Sequence, residues 1–438
     1  MHRPQKADLM PWMARALSSG RTRNLRRLAH ATVARMRGQT DLIQVFINPR
    51  DPFGLPLLQG LLALQDRFEL RFQLYTLWQF EEAMFPEPEL WRQWAQQDAA
   101  RIARLYGFVP PGQQAPPAEA ESAAAAIALL DAEETDDSLQ AAVQVMTRLW
   151  ASADGREPGA ELDEHQQARL AENEKRLRDL GHYQGSMVYY LGEWFWGLDR
   201  LDHLEHSLMR QKLNRKPGES PIFTRTWKGL GEKAQKLADN QPAIDEPLEV
   251  FFSIRSPYSY LGLERAVELA TAWGIPLKLR PVLPMIMRGQ AVPDAKKWYI
   301  FHDTKREADK LGIPYGFVAD PLGPGVERCY ALFEYARSQG REISYMRSYA
   351  RAVNAEGIRS ETDAGLKIIV ERAGLDWQEA KTRLADGRWR EWAEDNRQAM
   401  YRCGLWGVPS FRYGDIRCWG QDRLWLIENE IERKLRQS

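Results

Sequence analysis

The chain contains an internal repeat, and that limits its fold more than any other feature. Ile43-Gln-Val-Phe-Ile-Asn-Pro-Arg-Asp-Pro-Phe53 lies over Leu248-Glu-Val-Phe-Phe-Ser-Ile-Arg-Ser-Pro-Tyr258 without a gap, at a constant offset of 205 positions. Val, Phe, Arg and Pro coincide, and Tyr stands for Phe. Phe68-Glu-Leu-Arg71 then matches Leu277-Lys-Leu-Arg280 after a small change in length. Toward the far ends, Gly185-Ser-Met-Val-Tyr-Tyr-Leu-Gly192 parallels Gly407-Val-Pro-Ser-Phe-Arg-Tyr-Gly414. Trp196-Gly-Leu-Asp-Arg-Leu201 likewise parallels Trp419-Gly-Gln-Asp-Arg-Leu424. Ordered matches at both ends describe two copies of one domain better than a chance likeness does.

A length of 438 residues accommodates two domains. A hydrophobic share of 44% with 16 Trp suits substantial cores. Sixty Lys and Arg balance sixty Asp and Glu, so no global field recruits nucleic acid or membrane, and neither is expected as a partner. The three cysteines, Cys329, Cys403 and Cys418, form no Cys-x-x-Cys. That usage fits a reducing, cytoplasmic setting and argues against a disulfide scaffold. No apolar run is long enough to cross a bilayer. The first forty residues are basic (Arg15, Arg21, Arg23, Arg26, Arg27, Arg35, Arg37), with Asp8 as their only acid. They read as a helix packed on the body; a transit peptide or a surface-binding helix are the alternatives. His203 and His206 lie three apart on a helix without a Cys or carboxylate motif, so no metal site is expected.

Hydrophobic periodicity and turn residues divide the chain into a leading basic helix (1–40), a first domain (41–212), a connector (213–246) and a second domain (247–438). In the first domain, strand, helix and strand cover 41–78. Helices follow over 80–180, broken at Val109–Ala118, and strands with a closing helix end it. In the second, strands at Leu248–Phe252 and Leu277–Arg280 flank a helix. A helical block spans about 294–403, a hairpin turns at Gly414-Asp415 between Ser410–Tyr413 and Ile416–Trp419, and a helix over Asp422–Arg436 closes the chain. The copies differ where chemistry would sit: Asp51 replaces Ser256, Gly54 replaces Ser259 and Met187 replaces Pro409. The first copy therefore reads as a degenerate scaffold.

The apolar strand Leu248–Phe252 runs into Ser256-Pro-Tyr-Ser-Tyr-Leu-Gly-Leu-Glu264. With Leu277-Lys-Leu-Arg-Pro281, Gly407-Val-Pro-Ser-Phe411 and Trp419-Gly-Gln-Asp-Arg-Leu424, it resembles the DsbA-like group of thioredoxin folds. Within that group it is most similar to 2-hydroxychromene-2-carboxylate isomerase and the kappa-class glutathione transferases. The block from Lys296 to Asp303 and Leu311-Gly-Ile-Pro314 looks like that family's middle region. The resemblance covers 247–438 and, with the internal repeat, implies an α/β chain of two tandem thioredoxin-like domains, each with a helical insertion. Redox members place Cys-x-x-Cys where this chain has Ser256 and Ser259, so any sulfur chemistry here needs an external thiol, and glutathione is the implied cofactor.

The resemblance places Ser256 beside the glutathione sulfur. A helix start with a hydroxyl donor stabilises a thiolate, although serine is also an ordinary N-cap. It makes Val408-Pro409 a cis-proline loop whose backbone pairs with the cysteinyl part of glutathione. After Gly420, it gives Gln421 and Asp422 the γ-glutamyl end, and Lys296 or, preferably, Lys297 the glycyl carboxylate. Tyr258, Tyr260 and Trp298, with Tyr299, are expected to wall an aromatic pocket for a small-molecule substrate, and Cys403 and Cys418 to be buried apolar residues. The implied activity is a glutathione-dependent isomerase acting on an aromatic or conjugated substrate. A kappa-type transferase or peroxidase, or a non-catalytic adaptor, are the other readings. The two copies are expected to pack as an intramolecular pseudo-dimer, with homo-oligomers open.

Overall fold

The computed structural model describes residues 6–80, 85–112, 115–151, 158–234 and 245–437. The expected break at Val109–Ala118 and the connector at 213–246 thus fall partly outside the described residues, at 113–114 and 235–244. The described residues divide into two compact units. One, C-terminal, takes in residues up to 23, 226–292 and 300 onward; the other, N-terminal, takes in 24–225 and 293–299.

In the N-terminal unit, β1 (Leu42–Ile47) and β2 (Arg71–Thr76) run parallel around the helix Gly54–Gln65, in register from Leu42 opposite Arg71 to Ile47 opposite Thr76. Helices Pro88–Tyr106, Glu119–Ala132, Ser138–Ala151 and Glu164–Asp179 intervene before the hairpin of β3 (Met187–Tyr190) and β4 (Glu193–Trp196). The sheet order is β2-β1-β3-β4. Ile43, Val45 and Ile47 pack with Leu57, Leu58, Leu61 and Leu64 of the first helix, all fully buried.

In the C-terminal unit, β5 (Leu248–Phe252), the helix Pro257–Trp273 and β6 (Leu277–Pro281) repeat that parallel unit. Seven helices from Asp294–Leu311 to Trp389–Arg402 precede the hairpin of β7 (Ser410–Tyr413) and β8 (Ile416–Trp419), and Leu424–Leu435 closes the chain. The order is β6-β5-β7-β8, the same arrangement again. Strand β5 is buried along its whole length, as a central strand covered on both faces should be. Its one charge, Glu249, accepts from Arg280 at 2.8 Å and meets Lys278 at 3.3 Å. Pro257 opens the following helix and Gly274, at φ +64, ends it.

The leading segment is two helices rather than one, Lys6–Ser18 and Gly20–Met36, parted at Ser19. The first docks within the C-terminal unit: the Trp12 and Phe317 rings lie 4.9 Å apart, and the Ser18 hydroxyl is 3.2 Å from the Gly316 carbonyl. No helix among the described residues is long and apolar enough to cross a membrane.

The hairpins shift the alignment of the repeats by one residue. Met187 pairs with Phe46 and Trp196, while Ser410 pairs with Phe251 and Trp419. Met187 therefore occupies the place of Ser410, and Ser186 that of Pro409. The Val408–Pro409 bond is cis, whereas Ser186 makes its turn at φ +54.

Asp51, in the place of Ser256, is held differently. It does not cap the helix, whose first residue is Gly54. It is buried, and its carboxylate accepts from the Ser186 hydroxyl at 2.7 Å and the Phe53 N–H at 3.0 Å. Burial pushes its carboxyl from the ordinary 3.8 up to about 6 against those two hydrogen bonds. An acid raised in this way destabilises the fold when charged, so its contribution improves as pH falls through 6 and levels off below 4. Asp51→Asn keeps the shape and removes the charge. It should raise the stability of the N-terminal unit by about 1–3 kcal/mol at pH 8, with the gain gone near pH 4. Melting curves across that range check this; a variant less stable at pH 8 contradicts it.

Candidate functional site

The loop ahead of Ser256 is fixed from several sides. Arg255 grips Asp320 with two hydrogen bonds of 2.8 and 2.7 Å. The buried Tyr330 hydroxyl donates to the Val282 carbonyl at 2.7 Å and sits 3.5 Å from the Ile254 N–H. Ser259, in the second cysteine's place, is buried and turned backward, its hydroxyl oxygen accepting from the Ser253 N–H at 3.2 Å. It holds the loop and is closed to chemistry.

Ser256 is half-buried and caps the helix Pro257–Trp273, its oxygen accepting from the Ser259 N–H at 3.2 Å. A hydroxyl both accepts and donates. Capping uses the lone pair, so the O–H can still donate to an anion placed at the helix start, where the dipole favours negative charge. The capping and thiol-stabilising roles therefore do not compete for the same atom.

Three segments close around that helix. The Pro409 ring packs on Gly262: a Cβ there would lie 2.8 and 2.9 Å from Pro409 ring carbons and 3.1 Å from Phe411. The Pro409 carbonyl accepts from the Gly420 N–H at 2.9 Å, tying the loop before β7 to the turn after β8. Gly420 takes φ +92, a conformation glycine adopts without strain. Arg265, on the Ser256 helix, completes the circuit by donating to the Gln421 carbonyl at 2.7 Å and to its side-chain oxygen. Val408 is half-buried, and among the described residues its N–H and C=O have no backbone partner. It can pair with an extended ligand as a strand edge does.

Gln421 is fixed through its side chain. Its side chain is buried, and beyond Arg265 it donates to Glu307 at 3.1 Å and Asp422 at 2.5 Å. It is internal scaffolding that orients the half-buried Asp422. Glu307 in turn pairs with Lys310 at 2.7 Å.

The expected aromatic wall comes apart. The half-buried Tyr258 donates its hydroxyl to Asp303 at 2.6 Å, and Asp303 also binds Arg306 at 2.6 Å. Tyr260 is a core residue, and burial raises its hydroxyl pKa. Two residues apart on a helix is about 200°, so both tyrosines cannot face one pocket. Lys297 and Trp298 are exposed and, with Tyr299, group with the N-terminal unit. There Lys297 pairs with Asp294 at 3.0 Å, and burial pushes Lys296 down to about 8. Cys418 is buried as expected, whereas Cys403 is only half-buried.

Sequence reasoning missed Arg265, Gly262 and Glu307. A charge four residues after Leu261, on the same helix face, was the available signal for Arg265. A cavity of about 250 Å3 runs along β6 between Lys278, Arg280, Glu334 and Arg337, and holds none of these residues.

Residues 247–432 match a family model described as a DSBA-like thioredoxin domain. The 2-hydroxychromene-2-carboxylate isomerase of Pseudomonas putida is 26% identical over 199 residues, which span 44% of this chain and 97% of that protein. Glutathione S-transferase kappa 1 of Homo sapiens is 24% identical over 216 residues, spanning 44% of this chain and 93% of that protein. Among solved structures, a selenomethionine 2-hydroxychromene-2-carboxylate isomerase is 26% identical and covers 44% of this chain and 97% of its own, with a TM-score of 0.39. The C-terminal half therefore carries a DsbA-like thioredoxin domain of mixed α/β content.

Proposed function

We propose that this chain, with a DsbA-like thioredoxin domain in its C-terminal half, is a glutathione-dependent isomerase of the 2-hydroxychromene-2-carboxylate type. The observation that carries the reading is the circuit of Ser256, Val408-Pro409 and Gly420–Asp422 around one helix, with no cysteine among them. Such a site can hold a thiol but cannot supply one.

Glutathione, when bound, would supply a thiolate nucleophile that is regenerated at the end, with no net oxidation. Ser256 would donate its hydroxyl to the sulfur anion, and the helix start would lower the cost of that charge. The Val408 N–H and C=O would hold the cysteinyl backbone. Asp422, oriented by Gln421, would hold the γ-glutamyl ammonium. Tyr258 has its proton engaged on Asp303, so it orients rather than transfers.

The shared strand order supports a tandem duplication in which Asp51 and Ser186 fill the corresponding place with a buried hydrogen bond. We assign the N-terminal unit a scaffold role on that basis. The likeness to a kappa transferase keeps one alternative, in which the same thiolate is transferred to an electrophile and retained. Turnover assays with glutathione separate the two. Isomerisation of a chromene carboxylate with glutathione unconsumed is expected. Conjugation of generic electrophiles with no isomerisation favours the transferase, and failure to bind any thiol refutes both.

A further inference from the structure

The helix Gly20–Met36 is mounted with its apolar face outward. Within the N-terminal unit, its inward side carries Arg27, Ala31 and Ala34. Arg27 grips Glu193 with two hydrogen bonds of 2.7 and 3.0 Å, and Ala31 is buried. At about 100° per residue, Leu25, Leu28, Ala29, Thr32, Val33 and Met36 share the opposite side. All six are exposed: Leu25 by 67%, Leu28 by 59%, Val33 by 41% and Met36 by 76%. An ordinary surface helix buries such a stripe against the core and shows its charges to water. Here the ion pair is inside and the stripe faces solvent.

Charge indicates what covers it. Arg26 flanks one margin of the stripe and Arg35 the other, and no acid occurs between residues 9 and 40. The stripe is one face of a single helix, which suits a fluid apolar layer better than a side chain inserted from a partner. Four large apolar side chains also fall well short of the roughly 20–30 residues a side of a stable protein interface. We propose that this helix is an interfacial anchor that seats the protein on an anionic lipid surface. Leu25, Leu28, Val33 and Met36 enter the headgroup boundary, and the marginal arginines pair with lipid phosphates and carboxylates. This revises the expectation of no membrane partner, while leaving the chain without a spanning helix among its described residues. It does not depend on the glutathione site.

Sedimentation of the full chain with vesicles tests the proposal. Binding is expected to vesicles of phosphatidylcholine with phosphatidylserine and not to phosphatidylcholine alone, and it should weaken as salt rises. Leu28→Glu should lose at least tenfold in binding with an unchanged melting temperature. Leu28→Ser serves the same purpose if the glutamate variant melts early. Arg35→Ala should lose about fivefold. Absence of binding to the anionic vesicles, or unchanged binding by the Leu28 variants, overturns the proposal. So does a dimer in solution that Leu28→Glu dissociates, or saturable binding to an acidic polypeptide such as polyglutamate in place of vesicles.

Discussion

Replacing Ser256 by alanine is expected to lower kcat/KM of the glutathione reaction by roughly 10²–10³-fold, the usual cost of losing one preorganised donor to a reacting anion. The same change removes the cap on the Ser259 N–H, worth about 1 kcal/mol of stability. The two losses are separable. Glycine at an N-cap costs only a few tenths of a kcal/mol, so Ser256→Gly should remain nearly as stable as the wild type and yet be as inactive as the alanine variant. If Ser256→Gly keeps full activity, the hydroxyl serves the helix alone.

Gly262→Val should damage both stability and binding. A Cβ at this position would lie 2.8 and 2.9 Å from carbons of the Pro409 ring, which cannot swing aside as a flexible side chain would. Overpacking of this kind costs about 1–3 kcal/mol, more than the roughly 0.5–1 kcal/mol regained by removing a helical glycine. Relief requires the Pro409 loop to move off the helix, carrying Val408 away from Ser256. A displacement near 1 Å can cost roughly 10²-fold in rate. Melting temperature and glutathione affinity should therefore fall together. An unchanged affinity in a folded variant shows that the loop does not depend on this contact.

The framework was well exposed in the residues. Strand β5, the hairpin at Gly414-Asp415 and the cis bond at Val408-Pro409 all lie where composition, turn residues and the family resemblance put them. What failed did so for local reasons. Matching Gly192 to Gly414 misplaced the first hairpin by one residue, because there Leu191 takes the left-handed position at φ +46 and Gly192 follows it at φ +79. Tyr260 is expected at a pocket along with Tyr258, but helical geometry turns it toward the core. The resemblance puts the Gln421 backbone at the γ-glutamyl end and says nothing of where its side chain goes. Only the positions of Arg265 and Glu307, far away in sequence, reveal that this side chain is engaged within the fold. Lys297 and Trp298 were read with the second domain by order along the chain, and chain order does not set which unit a helix end joins.

The central claim is that Ser256 and the helix start hold a glutathione thiolate. The most direct measurement is the ultraviolet absorbance of thiolate as pH is raised, with glutathione bound to the wild type and to Ser256→Gly. The account predicts that glutathione binds and that its bound thiol titrates below the ordinary value of about 8.5, returning toward it in Ser256→Gly. No binding, or a bound thiol that titrates as it does in free solution, contradicts it.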